Sequence, residues 1–246
     1  MKRCDFPKPF STCLVDTNSQ GAYDDLGIYM RKYPRLLPVP YNTVSTDENR
    51  LLLEPWQKNV KLYPQLFFLV SKDVPVRDPA SCKNAILGIG LGLGTRGDGI
   101  IQSSIDPHAC DESDCRWYSL YTVGSQVLSQ ELVPGINARS LELTISSETL
   151  GTHVFRQSQL QFDPEELLTE MNVLLPYRKY DLFSLGAADA PLYVPIEKKF
   201  QPGEMITISC PELGKLEIVV DDQRDPDTFL PSWKPREFYL EPGYPR

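Results

Sequence analysis

Residues 86–99 read ILGIGLGLGTRGDG, six glycines in fourteen positions, with Gly88, Gly90, Gly92 and Gly94 on every second residue and Arg96 close behind. Glycine-rich loops cradle phosphates when they end a strand and open a helix, with an acidic residue about 20 positions further on. Here no lysine-serine or lysine-threonine ending is present, and the segment that follows, IIQSSIDPHACDESDC, is polar and broken by proline. Strict alternation of glycine with leucine and isoleucine has the period of a strand. Such a strand leaves space either for a bulky apolar ligand against Gly92 and Gly94 or for an aromatic side chain packed close to the backbone. At its end, Arg96 is a permanent cation able to hold a carboxylate or a developing oxyanion; a surface ion pair with Asp98 is the plainer alternative.

Other reactive types are sparse. With two histidines, His108 and His153, a serine or cysteine nucleophile has few bases to choose from, and no local nucleophile motif is present. His153 is a candidate general base or a surface histidine. Cys110, Cys115 and His108 lie close in sequence, but no second pair at a matching distance completes a zinc site, and a polar loop is the expectation there.

The 246 residues carry 33 acidic and 25 basic side chains, a formal net charge of −8, which argues against a nucleic-acid partner. No apolar run approaches the roughly 20 residues of a membrane span, and MKRCDFPKPFSTC lacks an apolar core for a signal peptide. A cytoplasmic protein with reduced cysteines and no membrane partner is expected. Twenty-two prolines point to a β-rich chain with many loops. LFFLVS (66–71), the glycine stretch, SLELTISS (140–147), YDLFSLG, the strand after FQPG and GKLEIVVDD read as strands. DPASCKNAIL (78–87) and DPEELLTEMNVLL (163–175) read as helices, each opening with an aspartate cap and a proline. Residues 1–60 are expected to be an irregular segment packed on a core of 61–222, with 223–246 a proline- and aromatic-rich tail, all within one structural domain.

The order of the later elements carries a resemblance. FDPEELLTEMNVLLPYRKYDLFSLGAADAP, followed by KKFQPGEMITISCPELGKLEIVV, resembles the closing third of the fumarylacetoacetate hydrolase family. Asp181 and Gly186 match its first strand motif, Pro202-Gly203-Glu204 its second with glutamate for aspartate, and Gly214 the glycine before the last strand. CRWYSLYTVGSQVLSQELVPG is similar to the family's tryptophan-to-lysine segment. The resemblance spans roughly residues 60–222 and implies a mixed β-rich α+β fold, a β-roll or sandwich with short flanking helices. It also implies a homodimer and a small-molecule substrate of the keto-acid or enol kind.

The same resemblance implies a divalent cation held by a Glu-x-Glu pair and a later aspartate, chemistry suited to carboxylate oxygens. Laid on that pattern, YPQLFFLVSK puts Tyr63 and Gln65 at the glutamate positions and Gly94 at the aspartate position. With Trp117 matched, the family lysine falls on Tyr121. The carboxylate-binding threonines fall on Leu185 and Ala187, with Ser184 one place away. The implied site is rebuilt, with no metal ligand and no cofactor. Arg96, Tyr63, Tyr121 and His153 are the catalytic candidates, and Gln65, Gly92, Gly94, Trp117 and Ser184 the substrate-binding ones. The expected activity is that of a metal-independent lyase, isomerase or cyclase on an unsaturated keto, β-dicarbonyl or polyketide- or terpenoid-like intermediate. A non-catalytic binding or scaffold protein is the alternative. A second alternative keeps metal-dependent hydrolase, hydratase or decarboxylase chemistry through relocated carboxylates such as Asp73 or Asp98.

Overall fold

The structure, a computed structural model of the chain, describes residues 4–5, 9, 11–15, 18–25, 36–38, 44–45, 49–55, 57, 59–98 and 123–227. In chain order the strands are β1 (Cys4–Asp5), β2 (Thr12–Val15), β3 (Leu36–Pro38), β4 (Val44–Ser45), β5 (Arg50–Leu53), β6 (Asn59–Val70), β7 (Ile86–Asp98), β8 (Val123–Leu128), β9 (Glu131–Leu132), β10 (Glu142–Ser147), β11 (Gly151–Arg156), β12 (Leu182–Ala187), β13 (Leu192–Val194), β14 (Met205–Cys210) and β15 (Gly214–Asp222). Among the described residues three short α-helices accompany them: α1 (Gln20–Asp25), α2 (Pro79–Cys82) and α3 (Pro164–Met171). None is long and apolar enough to cross a membrane.

Both expected helices start where their aspartates cap them. Asp78 accepts from Ser81 N at 3.1 Å, and Asp163 and Glu166 form a reciprocal capping box at 2.8 and 3.0 Å. Both end sooner than their sequences suggest. The chain after Cys82 enters β7 at Ile86. After Met171, the Asn172 amide accepts from Asp78 N and donates to the Pro75 carbonyl, tying the end of the helix to the segment before α2.

Two mixed sheets enclose the main core. One runs β11-β10-β14-β15-β5; the other runs β3-β2-β12-β6-β7-β8-β4, with β13 also paired to β6. Residues 1–60 supply strands to both: β2 lies parallel to β12, and β5 lies parallel to β15. Between the sheets, Leu62, Leu66, Phe68, Val70, Leu91 and Leu93 of the larger sheet meet Leu143, Ile145, Ile206, Ile208, Leu216 and Ile218 of the smaller one. Phe183 stacks on Phe68 at 5.3 Å and takes the edge of Tyr177 at 5.6 Å.

Beyond β15 the chain is pinned by a fully buried Arg224. Its guanidinium pairs with Asp222 through Nε at 2.9 Å and Nη2 at 2.8 Å, and Nη1 donates to the Val194 carbonyl at 2.8 Å. Burial alone would raise the Asp222 carboxyl, but hydrogen bonds from Arg224 and Phe200 N, with the guanidinium charge, outweigh it and hold its pKa below the usual carboxylate range. The remainder of the expected tail, residues 228–246, lies outside the described residues. Removing one partner of a buried pair leaves an uncompensated charge, so Arg224→Met is expected to lower the unfolding free energy by about 3–5 kcal/mol. Arg50→Met, at the exposed pair with Asp221, should change it by less than about 1 kcal/mol. Because the folded-state pKa of Asp222 is depressed, its contribution is complete above the ordinary value of about 3.9 and is lost as pH falls through the lowered one. Urea denaturation at pH 7 and pH 3 checks both: the wild type should lose stability on acidification, and Arg224→Met should lose less. Equal acid sensitivity would remove the pair from this role.

Candidate functional site

The glycine row of β7 lies on the face of the larger sheet turned away from the main core. Register places Tyr63 opposite Gly94, Gln65 opposite Gly92, Phe67 opposite Gly90 and Leu69 opposite Gly88. Large side chains of neighbouring strands fill the space the glycines leave. A β-carbon on Gly90 would stand 2.5 Å from the Phe67 ring and 2.8 Å from the Glu131 carbonyl oxygen; one on Gly92 would meet Leu128 at 2.8 Å, and one on Gly88 would meet Leu132 at 3.0 Å. Phe67, Leu69, Leu128, Leu132 and Leu182 form a second, smaller apolar cluster here. Along Gly88–Gly92 the glycine strand is closely packed, against the Phe67 ring at Gly90 and Gly92 and against Leu132 at Gly88.

At Gly94 the neighbours change character. Its missing β-carbon faces Gln126 Oε1 at 2.8 Å and Gln65 Nε2 at 2.9 Å. Gln65 Nε2 donates to Gln126 Oε1 at 2.6 Å, Ser184 Oγ donates to Gln65 Oε1 at 2.5 Å, and Gly186 N donates to Ser184 Oγ at 3.1 Å. Gln65 is fully buried, and Gln126 and Ser184 nearly so.

Two backbone irregularities set this cluster. β12 bulges between Ser184 and Ala187, with Gly186 at φ +70°, where a β-carbon would strike the Val15 carbonyl oxygen at 2.3 Å. The bulge turns the Gly186 N–H onto Ser184. On β6, the partner strand changes from β12 at Gln65 to β13 at Leu62, and Pro64, which has no N–H to offer a ladder, falls in that gap. A cavity of about 10 Å3, room for roughly one water-sized atom, adjoins the cluster. Thr12, Gln126 and Ser184 line it, with Cys13, Val44, Phe67, Leu128 and Leu182.

Of the sequence candidates, Tyr63, Gln65, Gly92, Gly94 and Ser184 share this face. The Arg96 backbone pairs with Lys61 and Val123, two residues along from Gly94. Tyr121 and Trp117 lie outside the described residues, as do His108, Cys110 and Cys115. His153 is elsewhere: it sits exposed on β11, the edge of the other sheet, with Nε2 2.9 Å from the Leu150 carbonyl oxygen. Asp181 serves the turn before β12, accepting from Ser11 Oγ and Arg178 N, both at 2.7 Å. Gln126 and Thr12 are the members that sequence reasoning passes over. Each comes from a strand far away in the chain; Thr12 sits in no motif, and Gln126 lies within the CRWYSLYTVGSQVLSQELVPG segment but at none of its matched positions.

The residues present do not fit a divalent cation. Gln65, Gln126, Ser184 and Gly94 are neutral, and both amide oxygens already accept a hydrogen bond. Among the described residues no three His, Cys, Asp or Glu side chains gather into a metal-binding group. Asp73 and Asp98 cannot share one. Asp98 is opposite Asn59, and Asp73 lies three residues past Val70 at the other end of β6, a strand about 35 Å long at 3.3 Å per residue. Asp73 is engaged with Lys179 N at 2.8 Å and with Arg178. Burial, then the Asp181 charge, pushes Cys13 up to about 11, so it is protonated at neutral pH.

No protein-family model and no curated protein matches the sequence. Solved structures do match. The chain is similar to a fumarylacetoacetate hydrolase family protein of Yersinia pestis CO92 (15% identity over 89% of this chain and 95% of that one, TM-score 0.69). It is similar to the fumarylpyruvate hydrolase of Pseudomonas aeruginosa, solved with Mn2+ and pyruvate (13%, 88% and 91%, TM-score 0.66). It is also similar to the 5-carboxymethyl-2-hydroxymuconate delta-isomerase of Mycobacterium smegmatis (16%, 89% and 82%, TM-score 0.66). The chain therefore has the fold of the fumarylacetoacetate hydrolase family, in agreement with the motifs of its sequence.

The packing makes an ordered prediction. Gly90→Ala meets an aromatic ring and a backbone oxygen and should cost about 1–3 kcal/mol, more than Gly92→Ala, which meets a rotatable leucine methyl. Shortening the ring in a Phe67→Leu background should reduce the Gly90→Ala cost by at least about 0.5 kcal/mol in a double-mutant cycle by urea denaturation. Two alanines with no effect on stability would mean that the glycine row is open.

Proposed function

We propose that the chain is a divergent fumarylacetoacetate hydrolase family protein that works without a divalent cation, as a lyase, isomerase or cyclase on an unsaturated keto or β-dicarbonyl compound of the polyketide- or terpenoid-like kind. The observation that carries this reading is the chain of neutral groups, Gly186 N to Ser184 to Gln65 to Gln126, packed against Gly94. Aligned on the family pattern, Gln65 and Gly94 stand at ligand positions, and the amides occupy the space that carboxylates and a cation would need. Fixed neutral dipoles in a dry site can polarise a carbonyl and stabilise an enol as charge develops, and confinement of the substrate supplies the remainder. Tyr63 is assigned as a further hydroxyl donor. Arg96 and Tyr121 are retained as catalytic candidates, and a homodimer in the cytoplasm is the working assembly.

A second reading, a non-catalytic binding or scaffold protein, is favoured by one observation: Phe67, Leu128 and Leu132 fill the glycine row. Keto–enol interconversion of pentane-2,4-dione, followed by ultraviolet absorbance with EDTA present, separates the readings. Acceleration by the wild type, reduced at least about tenfold in Ser184→Ala, supports the first. Binding of the dione without acceleration supports the second. One equivalent of magnesium or manganese in purified protein, with acceleration abolished by EDTA, would overturn metal independence.

A further inference from the structure

Among the described residues β11 pairs with β10 alone and forms one edge of the five-stranded sheet. Its six residues make it the longest strand at a sheet edge there: β5 has four, β3 three with a proline among them, and β4 two. Free edges are commonly kept short, or are blunted by proline, lysine or a bulge. GTHVFR has neither proline nor lysine, and its ladder with β10 runs from Glu142–Arg156 to Ser147–Gly151 without a shift. One bond fixes which backbone groups face outward. Gln157 N donates to the Leu141 carbonyl, so positions 141 and 157 are a hydrogen-bonded pair, and such pairs alternate along an antiparallel ladder. His153 and Phe155 therefore turn their N–H and C=O toward β10, while Thr152, Val154 and Arg156 turn theirs to the free edge. All three are exposed, Val154 at 48%.

We propose that the free edge of β11 is the docking surface for a second copy of this chain, paired antiparallel about a two-fold axis at Val154. This register is self-complementary. Thr152 faces the partner subunit's Arg156, Val154 faces the partner's Val154, and Arg156 faces the partner's Thr152. Every outward group of the strand is then used, in about six hydrogen bonds, two for each facing pair. A shift of two residues either way leaves one outward residue of each copy unpaired within the strand. Charge agrees with the same register. Each Arg156 meets a neutral threonine and keeps Glu142 at 3.2 Å on its other side, and the two arginines stand four residues apart, about 14 Å along the strands. The two half-exposed valines cover each other on the outer face of the sheet. The assignment rests on the homodimer reading and deepens it by naming the face. A contact of three residue pairs is small, so the dimer should dissociate on dilution.

Sedimentation equilibrium of the full-length protein over a range of concentrations reads the dimer constant, with circular dichroism checking the fold of each variant. Thr152→Lys sets a cation opposite the partner subunit's Arg156 twice in each dimer and should weaken association about threefold or more. Thr152→Glu sets an anion there and should tighten it about twofold or more. Val154→Cys should give a disulfide-linked dimer on mild oxidation, because facing α-carbons about 5.5 Å apart suit a disulfide. Neither the wild type nor Glu217→Cys, exposed on β15 within the same sheet, should do so. Should a charge variant fail to fold, the cross-link decides alone. A wild-type dimer whose constant ignores both charges, or that Val154→Cys does not cross-link, overturns the assignment and leaves the homodimer reading standing. A monomer at every concentration overturns both.

Discussion

The antiparallel ladder between β6 and β7 is the constraint on which the rest depends. It runs from Asn59 opposite Asp98 to Val70 opposite Ile86, and it sets every odd-numbered side chain from Tyr63 to Leu69 against a glycine. Because side chains alternate with period two, one register decides both faces. Leu62, Leu66 and Phe68 go to the main core with Leu91 and Leu93, and Gln65 and Phe67 go to the glycine face. A slip of one residue would bury Gln65 in the main core and turn Phe68 onto the glycines. The glycines are thus a packing requirement of the ladder, and the polar cluster exists because the apolar half of that face stops at Gly92.

A buried amide is costly when its groups are unpaired, and the cluster pairs both groups of the Gln65 amide and the Gln126 oxygen by linking residues from three strands. Each link fixes the next. The β12 bulge orients Ser184, Ser184 orients Gln65, and Gln65 orients Gln126. Partial removal is costly for this reason, since any missing member strands its neighbour. The fold reaches this arrangement with no ionised side chain in the cluster, and among the described residues the fully buried ion pair, Asp222 with Arg224, lies at the end of β15.

Local signals made much of this legible. Asp78-Pro79 and Asp163-Pro164 marked their helices, the alternating glycines marked β7, and Pro202-Gly203 marked the turn before β14. The strand of SLELTISS was legible too, whereas its partner β11 was not, because GTHVFR is an exposed edge without an apolar alternation. Gln65, Gly94 and Ser184 could be singled out because motif spacing pointed at them. Gln126 and Thr12 could not. Gln126 is 61 residues from Gln65 and Thr12 is 170 from Leu182, and long-range register leaves no local trace. Helix ends misled in the same way: Asn172, just past α3, bonds to Pro75 and Asp78, nearly a hundred residues earlier.

The central claim is that amides, and no cation, occupy the space beside Gly94. A crystal structure from crystals grown in millimolar MnCl2, with data collected at the manganese absorption edge, tests it most directly. The account predicts no anomalous peak beside Gly94 and an unbroken chain of density contacts from Ser184 through Gln65 to Gln126. A manganese peak coordinated by Gln65 or Gln126, with the amide-to-amide bond parted, would contradict it.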